Sequence, residues 1–137
     1  MRLFVDTSTL FKKYVEEPGS SAFEELLAEA LEIAVSPVTW IELNATLERC
    51  LRESILTPDK AEWLRAEIKK DFAYFSIVVW NENLEKKAVE IIRRQALKTM
   101  DGVQLAAGFL SQSDFFVTSD KQLHKAAKKI IQHVQFI

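Results

Sequence analysis

Arg2-Leu3-Phe4-Val5-Asp6-Thr7-Ser8-Thr9 is the stretch on which the fold turns. Three consecutive apolar residues read as a short strand buried on both faces. The aspartate and the hydroxyl residues that follow favour helix starts, so the strand is expected to pass directly into a helix. In an open parallel sheet, such a junction is where ligands bind. An ionised carboxylate at a buried strand end is costly unless it is paired or bound to a metal. Asp6 therefore calls for partners from elsewhere in the chain.

Working outward, Leu10 to Glu17 continues the first helix until Pro18-Gly19 breaks it. Ser20 or Ser21 caps a second helix that carries Phe23, Leu26, Leu27 and Ala30 on one face. Ile33-Ala34-Val35 is a second buried strand. Ser36-Pro37 and Thr57-Pro58 are paired start signals, a capping hydroxyl followed by proline at the first helical position. The two helices they open, to about Ser54 and about Phe72, form a helical hairpin inserted between strands. Ser76 to Trp80 is β-branched and aromatic, a third strand. Asn83 to Ala96 is a charged amphipathic helix. Asp101 to Ser111 is apolar nearly all round and is expected to be a buried helix. Phe115 to Thr118 gives a fourth strand, Asp120 to Ile130 a helix, and Val134 to Ile137 a last strand. Strands alternating with helices predict an α/β sandwich with a mainly parallel sheet of four to five strands.

A length of 137 residues fits one domain, 1–137, with room for a full core. No apolar run approaches a membrane span, so no membrane role is expected, and no signal-peptide pattern precedes the first strand. Cys50 is the only cysteine, which rules out an internal disulfide and points to an intracellular, cytoplasmic setting. The net charge of -2 neither demands nor excludes nucleic acid. Basic pairs at Lys12-Lys13, Lys69-Lys70, Lys86-Lys87, Arg93-Arg94 and Lys128-Lys129 read as solvated helix faces, or as phosphate contacts if they converge.

Four acids stand at comparable junctions. Asp6 ends strand one, Glu42 lies early in the helix after strand two, Asp101 opens the buried helix, and Asp120 lies two residues past strand four. In a parallel sheet the strands end at one edge, which places Asp6, Glu42 and Asp120 along it. Asp101 joins them if its helix begins at that edge. Each acid taken alone also reads as a cap: Asp6 for the first helix, Glu42 back to Thr39, Asp101 with Gln104, and Ser119 with Gln122 beside Asp120. Together they repel, and only Lys121 is an adjacent cation. A hard divalent ion supplies the missing charge; magnesium takes oxygen ligands and keeps waters, leaving room for a phosphate.

The ordered set LFVDTSTL at 3–10, EEPGS at 16–20, WIELNATLER at 40–49, MDGVQLAAG at 100–108 and FVTSDKQL at 116–123 resembles the PIN-domain family, and within it VapC-type toxins of toxin–antitoxin pairs. The resemblance covers nearly the whole chain. It implies a three-layer α/β/α sandwich and a ribonuclease dependent on magnesium or manganese, with RNA as substrate and an antitoxin protein as partner. The acids carried over are Asp6, Glu42, Asp101 and Asp120. Asp6, Asp101 and Asp120 would hold the metal, directly or through waters, and Glu42 would complete the site or orient the attacking water. Ser8 and Thr118 match positions that support the metal or its waters. Gly102 stands where the family often has alanine, and Gln104 where histidine is frequent. A homodimer is also implied, placed on the apolar face of the 37–72 hairpin.

Other residues have simpler readings. His124 and His133 do not form a zinc pattern. Trp40, Trp63 and Trp80 are read as core or interface residues, with base stacking the alternative. Phe11 and Tyr14 are read as core, or as the wall of an antitoxin groove. With glycine only at 19, 102 and 108, no glycine-rich phosphate loop exists. The competing functions are a PIN nuclease of RNA processing outside a toxin pair, a receiver-like phospho-signalling domain, and a binding protein with a vestigial site.

Overall fold

A computed structural model describes residues 1–137. Five parallel strands form one sheet: β1 (Arg2–Val5), β2 (Glu32–Val35), β3 (Ser76–Ile77), β4 (Phe115–Thr118) and β5 (Val134–Phe136). Their spatial order is β3-β2-β1-β4-β5. The central strand is the most apolar one, with Leu3, Phe4 and Val5 fully buried. Leu3 pairs with Ile33 and Phe115 on either side, and Phe4 with Ala34 and Phe116.

Seven helices cover the two faces: α1 (Thr7–Leu10), α2 (Ser20–Glu29), α3 (Thr39–Arg52), α4 (Pro58–Phe72), α5 (Glu82–Gln95), α6 (Thr99–Ser111) and α7 (Lys121–Ala127). Alternation along β1 assigns its side chains to opposite layers. Leu3 and Val5 pack with Leu10, Phe23, Leu43, Leu47, Leu64 and Ile68 from α1 to α4. Phe4 packs with Leu84, Ile91, Leu105, Ala106, Phe116 and Leu123 from the α5–α7 side. The result is a three-layer α/β/α sandwich, with the α3–α4 hairpin inserted between β2 and β3 as the paired start signals predict.

The chain builds outward from β1 through β2 to β3 on one side and from β4 to β5 on the other. The strand order therefore reverses between β1 and β4, and the crevice beyond their carboxyl ends is the expected ligand position. Helix α6 can lie close to its neighbours because it carries glycine at two contacts. A Cβ at Gly108 would stand 2.3 Å from the Phe116 ring, and one at Gly102 would stand 2.4 Å from Cγ1 of Ile92 on α5.

Several boundaries differ from expectation. The first helix is α1 followed by a 3-10 turn over Phe11–Lys13, and it ends before Glu17. The third strand stops at Ile77, although the β-branched run extends to Trp80. Its only neighbour, β2, ends at Val35, the residue paired with Ile77, so Val79 and Trp80 have nothing to pair with and lie exposed. Helix α3 begins at Thr39, two residues after Pro37, with Ser36 Oγ accepting the Val38 N–H. Helix α6 begins at Thr99, which leaves Asp101 inside its first turn. Trp40, Trp63 and Trp80 are at least 40% exposed, so none is a core residue; each lies on the hairpin or the β3 edge, where no further layer covers it. Phe11 and Tyr14 are buried and belong to the core. No helix is long and apolar enough to cross a membrane.

Candidate active site

Asp6 leaves β1 and caps α1. Its Oδ1 accepts the Thr9 backbone N–H at 2.9 Å, and the Ser8 hydroxyl lies 3.0 Å from both carboxylate oxygens. Thr118, at the end of β4, donates to Oδ2 at 2.5 Å. The same Thr118 oxygen accepts the Asp120 backbone N–H at 3.0 Å, so one hydroxyl links the ends of two adjacent strands. Asp6 is 2% exposed. Burial pushes its carboxyl above the ordinary aspartate range, against the pull of the Thr118, Thr9 and Ser8 hydrogen bonds. All of those donors are neutral, so no protein cation compensates its charge.

Asp120 caps α7 through Oδ1, which accepts the Leu123 N–H at 2.9 Å. The cap reading of Asp6 is thus realised, and at α7 the cap is Asp120 itself rather than Ser119. The cap readings of Glu42 and Asp101 are not realised. Glu42, in the first turn of α3, accepts at Oε1 from the Thr7 hydroxyl at 2.8 Å and from Gln104 Nε2 at 2.7 Å. Gln104 is therefore turned away from an Asp101 capping box. Asp101 carries a carboxyl raised first by burial and then by the charges of Asp120 and Glu42, with Lys98 partly offsetting them. That mutual repulsion requires the three acids to share one region.

They do so in a cavity of about 490 Å³ at the carboxyl edge of the sheet. Asp6, Glu42, Asp101 and Asp120 all line it, together with Ser8. Thr118 is fully buried beneath the floor. Among the other lining residues, Glu17, Thr7 and Arg49 bring polar or charged groups to which the sequence reading gave no role. Arg49 is the single cation on the wall. Its signal was available, because residues 42, 45, 46 and 49 recur at helical spacing on one face of α3. Glu17 arrives through the buried Lys12, whose Nζ reaches Pro18 O at 2.8 Å and the Glu17 carboxylate at 3.4 Å. Local periodicity carries no trace of that contact. None of the basic pairs lines the cavity, and Lys12 is consumed inside the loop. His124 and His133 face Phe136 and Phe115 rather than the acids.

No three carboxylate, imidazole or thiolate groups stand close enough to enclose an ion between them. The acids instead ring an open space. Magnesium is bound through one or two carboxylates and several waters, so a wide ring of oxygen donors suits it better than a closed cage. The donor set is all oxygen, it carries excess negative charge, and Glu42 Oε2 and Asp120 Oδ2 have no hydrogen-bond partner within the protein. The residues present fit a hydrated hard divalent cation.

The PIN domain family model matches residues 3–129. No curated protein matches the chain. Among solved structures, FitAcB from Neisseria gonorrhoeae is similar at 14% identity, with a TM-score of 0.72 and coverage of 98% of this chain and 96% of that one. PAE2754 from Pyrobaculum aerophilum is similar at 18% identity, TM-score 0.69, covering 96% and 88%. VapBC2 from Rickettsia felis, solved bound to a DNA fragment from its promoter, is similar at 15% identity, TM-score 0.67, covering 98% and 97%.

Proposed function

Because this chain belongs to the PIN-domain family, we propose that it is a magnesium- or manganese-dependent ribonuclease, the cytoplasmic toxin of a pair neutralised by an antitoxin protein. One observation carries the reading: four acids distant in sequence, Asp6, Glu42, Asp101 and Asp120, face a single cavity at the strand-order reversal. Family membership also sets aside the receiver-like alternative. The toxin assignment draws on the similarity to VapBC2 and to a toxin–antitoxin complex from Klebsiella pneumoniae, matched at 18% identity and a TM-score of 0.65.

In this reading Asp6, Asp101 and Asp120 hold the cation, directly or through waters. When bound, the ion supplies charge stabilisation to phosphoryl oxygens and acidifies a water. The remaining work falls to the chain's own groups. Thr118 and Ser8 fix the Asp6 carboxylate by donating to it. Glu42 keeps Oε2 free to orient a water and accept its proton. Arg49 grips a phosphate of the strand. Its present tie, Glu53 at 3.2 Å, is an exposed i,i+4 pair worth roughly 0.3–0.5 kcal/mol and easily given up. Trp40, Ile41, Ile55 and Trp63 are exposed on or beside the α3–α4 hairpin, and a second copy of the chain would cover that face.

Expression of the chain with and without a co-encoded antitoxin tests the proposal. RNA breakdown and growth arrest are expected only without the antitoxin. Intact RNA and normal growth under strong expression would refute the toxin reading. Metal-dependent cleavage of RNA by the purified chain, without arrest in cells, would leave a PIN nuclease of RNA processing.

A further inference from the structure

Gln104 sits one helical turn after Asp101 on α6 and is 3% exposed. Its amide nitrogen reaches Glu42 Oε1 at 2.7 Å, Thr7 Oγ1 at 2.8 Å and Thr39 Oγ1 at 3.2 Å. Thr7 in turn donates to the same Glu42 oxygen at 2.8 Å, which closes a triangle among α1, α3 and α6. The amide oxygen of Gln104 is buried and has no partner. Turning the amide over would let the Thr39 hydroxyl donate to that oxygen, but would set it against a carboxylate oxygen of Glu42. A carboxylate only accepts hydrogen bonds. The unpartnered oxygen is thus the cost of keeping an N–H on Glu42, and a core packed only for stability would not retain it.

We propose that Gln104 is a positioning residue whose amide N–H pins one oxygen of Glu42 against Thr7 and so aims the other, Oε2, into the cavity. The proposal deepens the nuclease reading and rests on it for its kinetic test. It gives α6 two tasks on one face: Asp101 presents its own charge, and Gln104 orients a charge that belongs to α3.

Gln104→Met retains length and removes the donor. The expected result is a fall in kcat of about tenfold to a hundredfold, KM within about twofold, and a Tm no lower than that of the parent, since the unpartnered oxygen is also gone. In a Glu42→Gln background the same change is expected to alter kcat by less than about twofold, because the group being positioned is already lost. Gln104→Glu, isosteric with the native side chain, sets a carboxylate against Glu42 and is the second variant if Gln104→Met folds poorly; it too is expected to lower kcat. An unchanged kcat in Gln104→Met, or an equal fall in both backgrounds, overturns the proposal. A crystal structure of metal-free Gln104→Met supplies a readout independent of activity: the Glu42 carboxylate is expected to leave the Thr7 hydroxyl, and its staying in place also overturns the proposal. If the parent protein cleaves no RNA under any metal, the nuclease reading falls by itself, and that crystal structure still decides whether Gln104 places Glu42.

Discussion

Asp6 and Asp101 face one cavity from different surroundings. Asp6 is enclosed by donors from Thr9, Ser8 and Thr118 and tied to both β1 and β4. Asp101 is half-buried, and its shift has no hydrogen bond among its causes, only burial and the charges of Asp120, Glu42 and Lys98. Burial lifts both carboxyls; against it Asp6 has three hydrogen-bond donors, and Asp101 has only the charge of Lys98. The comparison teaches that Asp6 holds architecture and chemistry together, whereas Asp101 is left free for a ligand. Substitution should therefore separate the two residues in stability and unite them in activity.

The largest effect is expected on cleavage. Asp101→Asn should lower the rate of RNA cleavage by more than about a hundredfold, because it removes a ligand charge from the site. Its Tm in metal-free buffer should not fall. An unfolded Asp101→Asn would break the comparison, and a fully active one would remove Asp101 from the site. Next is the response to metal. Magnesium or manganese at about a hundredfold excess over its dissociation constant should stabilise the parent by about 2.7 kcal/mol and raise Tm in a thermal melt. Asp101→Asn should blunt that rise, and an equal rise in both would place the ion elsewhere. Third is Asp6→Ala, which strands the buried Thr9 N–H and Thr118 hydroxyl; denaturant titration should register a loss of about 1–3 kcal/mol. Asp101→Ala should cost less than about 0.5 kcal/mol, as for ordinary surface sites.

A finer measurement uses pH. The Asp101 carboxyl is raised above its ordinary value of 3.8 by burial, Asp120 and Glu42. A group raised on folding favours the folded state below its unfolded value, and that contribution is lost as pH rises through its folded value. In metal-free buffer the parent should therefore be less stable than Asp101→Asn at neutral pH, with the gap closing as pH is lowered toward 3.8. A gap that widens on acidification would reverse the assignment. The smallest effect is expected at the rim. Arg49→Ala should raise KM and reduce the slope of log affinity against log salt by about 0.7, the value for one phosphate contact on a single strand. An unchanged slope would take Arg49 off the RNA.

Much of this was legible in the residues themselves. The apolar triplet before Asp6 announces a central strand, and Thr57-Pro58 marks the start of α4. The apolar residues Val103, Leu105, Ala106, Ala107, Phe109 and Leu110, spread nearly all round the helix, predict that α6 is buried. Asp6, Glu42 and Asp120 could be placed because each follows a strand end, and a parallel sheet turns those local facts into one location; Asp101 depended on where its buried helix begins, which only the packing decides. What stayed hidden depends on contacts between distant segments. The length of β3 is set by where β2 ends. The second task of Gln104 is set by two threonines 65 and 97 positions away. Lys12 belongs to a helical basic pair by pattern, yet a carbonyl six residues later draws it inside. Periodicity describes which face a side chain occupies, and it cannot say what another element brings to that face.

The absent side chain at Gly102 has a consequence for how the molecule tolerates change. Ile92 of α5 occupies the volume where a methyl group would project from position 102, which adjoins Asp101 and lies two residues before Gln104. A methyl introduced there would force either the Ile92 side chain or the opening turn of α6 to give way, and movement of α6 would carry Asp101 and Gln104 with it. Ile92 trimmed to a smaller side chain would make room for that methyl. The position of Asp101 thus leans on a close seam between α5 and α6, on the far side of its helix from any ligand.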